Sequence, residues 1–139
     1  MKILNVLAQL PMKTGSGVYF SNLVEELNAQ GHENILLYGV QAPYSVDVEG
    51  KHYPVEFKSE KIPFPIAGMS DIMPYESTIY SEMTEDMIDL ELNVFREVLE
   101  KIRDTEGVDL VITHHLFFLS SLVREVFKDT PVAVSYTHL

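Results

Sequence analysis

A chain of 139 residues, 46% of them apolar, is long and hydrophobic enough to fold as one domain around its own core. Its 21 acidic residues against 10 basic ones give a formal charge of −11, which disfavours nucleic acid and anionic membrane surfaces as partners. There is no cysteine for disulfides or thiolate metal sites, no apolar run of the roughly 20 residues that span a membrane and no leader-like opening segment, so a cytoplasmic domain is the expectation.

Lys2 to Leu10 is apolar almost throughout, with Ile3, Leu4, Val6, Leu7, Ala8 and Leu10, and predicts a buried parallel strand that Pro11 ends. The turn Gly15-Ser16-Gly17 follows, and a helix is expected to start at Ser16 or Gly17 with Thr14 or Ser16 as its N-cap. Phe20, Leu23, Val24 and Leu27 repeat at helical spacing and should face the sheet. Gly31 is placed to close the helix in the left-handed conformation. Asn34 to Val40 then reads as a second buried strand, which completes a βαβ unit with a right-handed crossover.

Between Gln41 and Tyr80 the pattern loosens under Pro43, Pro54, Pro63, Pro65 and Pro74. His52 to Lys58 fits a strand with Tyr53, Val55 and Phe57 on one face. The stretch 66–75 reads as a long loop, apolar enough to pack over something, with Met69, Met73 and Met83 in or near it. Thr84 to Asp104 predicts a long helix, N-capped by Thr84 and ended by Gly107. Its expected apolar stripe runs through Met87, Leu90, Val94, Val98 and Ile102 with Ile88, Leu92, Phe95 and Leu99, and its acidic residues read as a solvated face. Asp109 to His115 is a further buried strand, Phe117 to Phe127 a short helix with Leu119, Leu122, Val123 and Val126 inward, and Pro131 to Tyr136 a last strand. This order predicts the α/β class: a Rossmann-like open parallel sheet with helices on both faces, in a single domain over 1–139.

Ligands of open parallel sheets bind beyond the carboxyl ends of the strands, where the strand order reverses. Two features fall there: the Gly15-Ser16-Gly17 turn, whose bare backbone opens a helix with free N–H groups and a positive dipole end, and the Thr113-His114-His115 strand end. The first and fourth strands should be neighbours at that point, so the two features are expected to share a crevice. The glycine turn is neither a dinucleotide fingerprint, since Phe20 stands where the last glycine belongs, nor a P-loop, since no Gly-Lys-Ser/Thr follows. Lys13 is within reach of a phosphate as a point charge, or is simply solvated. His114 and His115 point to opposite faces of a continuing strand and make a poor chelating pair, so no metal site is expected. A histidine at this position can hydrogen-bond a sugar hydroxyl or steady developing charge. Asp71 in the apolar loop suits either an acceptor hydroxyl or an Asx turn. No nucleophile elbow or Ser-His-Asp set occurs.

The opening strand, the turn Thr14-Gly15-Ser16-Gly17-Val18 and the helix end Gly31-His32-Glu33 together resemble the start of family 4 glycosyltransferases of the GT-B fold. Asp109-Leu-Val-Ile-Thr-His114-His115 resembles a second stretch of that family, with Ile112 at the family's first histidine and Thr14 at its first loop glycine. The resemblance implies the acceptor-side half of a two-domain enzyme that moves a hexosyl group from a nucleotide sugar to an acceptor hydroxyl. The donor-binding domain has no counterpart here, and the chain alone is expected to be inactive. It implies that Gly15, Ser16 and Gly17 lie near the donor phosphate and His114 near the transferred sugar, with His115 and Asp71 as further binding residues. No metal or cofactor is implied beyond the nucleotide sugar as co-substrate. The alternatives are a non-catalytic Rossmann-like binding domain and a fragment of a GT-B sugar-nucleotide epimerase. The partners expected are a small-molecule acceptor and the nucleotide sugar, with self-association as a homodimer through an open sheet edge or the inter-domain face.

Overall fold

A computed structural model describes residues 1–11, 15–68, 77–114 and 118–135. The chain runs β1 (Lys2–Leu7), α1 (Gly15–Ala29), β2 (Glu33–Val40), β3 (Lys51–Glu56), β4 (Ala67–Gly68), β5 (Thr78–Ile79), a 3-10 turn at Tyr80–Glu82, α2 (Glu85–Glu106), β6 (Leu110–His114), α3 (Phe118–Val126) and β7 (Val132–Ser135). Five strands form one all-parallel sheet in the order β3-β2-β1-β6-β7, so β1 is central and β2 and β6 flank it. The expected α/β architecture is the one found. Strand ends shift by one to three residues, and β1 stops at Leu7 rather than Leu10. Within the segment read as a loop, β4 and β5 pair as a second, two-stranded sheet.

Strand alternation sorts the apolar residues onto two faces. Leu4, Val6, Ile35, Leu37, Val55, Phe57 and Val111 pack with Phe95, Leu99 and Ile102 of α2 and with Leu119, Leu122 and Val123 of α3. On the other face Leu7, Leu36 and Tyr38 pack with Phe20 and Val24 of α1. Burial on both faces is why β1 and β2 read as continuous apolar runs. One polar chain ties α1 to the sheet: Asn5 Nδ2 donates to Asn34 Oδ1 (2.9 Å), Asn34 Nδ2 to Asn28 Oδ1 (2.8 Å), and Asn28 Nδ2 to the Glu49 carbonyl (2.9 Å).

The helix ends follow their sequence signals. Thr84 accepts from Met87 N as the cap of α2, and Gly107, at φ +64°, closes it. Gly31, at φ +88°, ends α1. The stripe of α2 differs from expectation. Its buried residues are Glu91, Phe95, Leu99, Ile102 and Glu106, while Leu90 is exposed. Glu91, one of the acids read as solvated, is therefore in the interior, as is Glu106 beyond the expected helix end.

Glu106 is compensated. It accepts from the Tyr53 hydroxyl, forms an ion pair with Lys51, and lies 4.0 Å from Lys2 Nζ. The hydrogen bond from Lys51, then that from Tyr53, holds its carboxyl below the ordinary value of 4.5. The stabilisation from a depressed carboxyl is complete above the unfolded value and disappears as pH falls through the folded one. Glu106→Gln is therefore expected to lower the urea midpoint at pH 7, with the gap to wild type closing as pH falls below the ordinary carboxylate value. A gap that stays constant across that range would contradict the assignment.

The edge strand β3 is guarded. Phe57 N donates to the Val40 carbonyl, so the backbone groups of Tyr53 and Val55 also face β2, and those of His52, Pro54 and Glu56 face away. Pro54 thus removes an N–H from the open edge, where proline is tolerated and blocks strand addition.

Candidate functional site at the strand-order reversal

All five strands of the main sheet point their carboxyl ends the same way. The order reverses between β1 and β6, which run side by side with Val6 opposite Thr113. The connection from β1 leaves by α1 over one face, and that from β6 leaves by α3 over the other. Two helix N-termini therefore open at the reversal between these strands, each with a positive dipole end.

The last two residues of β6 bind the strand to both helices. Thr113, on the α3 side, shares a hydrogen bond with Ser120 (3.0 Å). His114, on the α1 side, is buried at 5% exposure, with its ring centroid 5.1 Å from that of Phe20 and 5.8 Å from that of Tyr19, both edge-on. That enclosure leaves a ligand little more than an edge of the imidazole. Ser21 donates to the Pro11 carbonyl (2.9 Å) and fixes the second turn of α1 against the segment that leaves β1.

Gly15, Ser16 and Gly17 form the first turn of α1, with Gly17 buried. That turn opens α1 beyond β1, and His114, at the end of the neighbouring β6, packs on Tyr19 and Phe20 further along the same helix. The helix begins at Gly15, one or two residues earlier than expected. Asp71, His115 and Lys13 lie outside the described residues. Val18 and Tyr19 are 49% and 46% exposed, so the first turn of α1 presents two apolar side chains to solvent beside the crevice. Among the described residues, no group of three or more His, Asp or Glu side chains is arranged to hold a metal ion. Among the same residues no helix is long and apolar enough to cross a membrane.

Sequence reasoning missed Glu91. The side chain is 1% exposed and its Oε2 has no hydrogen-bond partner. Burial pushes its carboxyl from 4.5 up to about 8. It lies on the stripe of α2 that faces the sheet, in the second turn of a helix that descends from the carboxyl end of the strands. A buried acid with an unpartnered oxygen is a functional candidate as well as a stability liability. The available signal was its spacing, four residues before Phe95 on the apolar face.

Neither a protein-family model nor a curated protein sequence matches the chain. Solved structures do. The C-terminal domain of a hydrogenase from Pyrococcus furiosus is similar with a TM-score of 0.61 at 15% identity, over 98% of this chain and 90% of that one. A second structure of that domain gives 0.59 at 16% identity, over 96% and 89%. Sucrose-phosphate synthase from Thermosynechococcus elongatus gives 0.61 at 14% identity, over 99% of this chain and 32% of the synthase. At these identities the likeness is one of fold, a Rossmann-like α/β domain of the kind that also forms part of a glycosyltransferase.

Proposed function

We propose that this chain is the acceptor-side domain of a glycosyltransferase that uses a nucleotide sugar, of the family 4 type. In this reading the first-turn N–H groups of Gly15, Ser16 and Gly17 receive the donor phosphate, because preorganised donors at a helix N-terminus favour an anion without a metal. His114 lies beside the transferred hexosyl group and offers a hydrogen-bonding edge to a sugar hydroxyl. His115 and Asp71 would add contacts to donor and acceptor. A second domain supplies the other wall of the cleft and most of the nucleotide contacts. The observation that carries the reading is the convergence of the α1 first turn and His114 at the reversal between β1 and β6. The likeness to the synthase over 99% of this chain supports it.

The test is a titration of the ¹⁵N-labelled chain with glucose 1-phosphate. Saturable shifts of the Gly15 and Gly17 amides are expected, and they should weaken several-fold in His114→Asn. A folded chain that shows none would overturn the reading. In that case the likeness to a hydrogenase domain, of which the chain covers 90%, favours the second reading, a non-catalytic Rossmann-like binding domain.

A further inference from the structure

On the α1 face of β2 and β3, away from the β1–β6 crevice, an open cavity of about 340 Å³ is lined by Tyr38, Tyr44, Ser45, His52 and Glu56 among others. A second cavity of about 250 Å³ shares Val40, Tyr44 and Glu56 with it and continues to Lys58 around the strand ends. Together they make one shallow groove at the small end of the range for ligand sites.

The polar atoms at its floor are already committed. His52 Nε2 lies 2.6 Å from the Val48 carbonyl, which can only accept, so Nε2 carries the hydrogen. Nδ1 then accepts from the Tyr38 hydroxyl at 2.6 Å. The Tyr38 phenol is 4% exposed, and burial raises it above its ordinary value, which keeps it a donor. The polar atoms of the pair already have partners, so it offers a ligand the half-buried His52 ring rather than hydrogen bonds. Tyr44, half-buried, adds a further ring. The exposed polar groups are the Ser45 hydroxyl, the Glu56 carboxylate and, in the second cavity, the Lys58 ammonium.

A pyranose has this mixed character: an apolar C–H face for rings and a rim of hydroxyls for a carboxylate and a serine. Glu56 and the charge of −11 disfavour phosphorylated or carboxylated ligands. We propose that the groove bounded by Tyr38, Tyr44, His52 and Glu56 is a binding subsite for a neutral hexopyranose. Two strand spacings, about 10 Å, separate it from the β1–β6 crevice at the same end of the sheet. It therefore takes a ring of the acceptor other than the one that reacts. That place in a reaction rests on the glycosyltransferase reading; the sugar binding does not.

The test uses the whole ¹⁵N-labelled chain and two neutral probes, methyl α-D-glucopyranoside and methyl α-D-mannopyranoside. At least one should give saturable shifts of the amides of residues 44–46 and 52–56, with Gly15 and Gly17 unmoved. Glu56→Gln, at an exposed position, should weaken that binding by about tenfold with the fold unchanged. Tyr44→Ala should abolish it. The absence of saturable shifts with both probes would overturn the proposal, as would unchanged affinity in Glu56→Gln. A larger saturable response to choline would also overturn it, since the groove would then be a cation site. Glycoside shifts at 44–56 alongside no response of Gly15 and Gly17 to glucose 1-phosphate would leave this proposal standing and remove the transferase reading.

Discussion

Glu91→Gln is expected to stabilise the domain by about 2–4 kcal/mol at pH 8 and by less than about 1 kcal/mol at pH 4.5. The size follows from a carboxyl that titrates at about 8 when folded and near 4.5 when unfolded. The folded state holds this proton more tightly, so the native protein is favoured below 4.5 and loses stability as pH rises from 4.5 to 8. Glutamine keeps the shape and removes the titration, so the variant's advantage should grow over that interval and then level off. Urea unfolding at several pH values reads this directly. A variant gain that is flat with pH, or a loss at pH 8, would show that the side chain is either solvated or paired. Glu106 titrates in the opposite sense and over a more acidic interval, so the two effects separate on one pH axis.

Gly39→Ala is expected to cost about 2 kcal/mol or more, because overpacking an interior site moves backbone as well as side chains. A Cβ at Gly39 would stand 2.8 Å from the Ala8 carbonyl oxygen, 3.0 Å from a ring carbon of Phe57 and 3.4 Å from Ile66 Cδ1. Phe57 has room only by disturbing its edge contact with Phe64 and its tilted contact with Phe95, so relief must come from the segment that holds Ala8. That segment leads from β1 to the first turn of α1, which Ser21 anchors at Pro11. The variant should therefore show two losses, a lower urea midpoint and weaker shifts of Gly15 and Gly17 with glucose 1-phosphate. A stability loss with full phosphate response would uncouple this segment from the crevice.

Much of the architecture was legible because it rests on local rules. Apolar runs in β1 and β2, the Thr84 cap, and the glycines at 31 and 107 each specify their element without reference to the rest of the chain. The adjacency of β1 and β6 was legible too, since strand order in such sheets is restricted. What was missed is non-local. The pairing of β4 with β5 involves two residues on each strand, too few for a period to register. Glu106 looks like any surface acid until Lys51 and Tyr53 arrive from β3. The Tyr38–His52 pair joins two strands whose side chains show no shared pattern in the sequence.

The position of β1 has a consequence for synthesis. Its Ile3 pairs with Asn34 on one side, but with Leu110 on the other. During translation β1 emerges before β6 and must wait, with one flank unsatisfied, until α2 has been made. Such distant closure slows folding and prolongs exposure of a sticky flank. The nascent half-sheet of β1, β2 and β3, rather than the finished domain, is then the species most in need of protection from its neighbours.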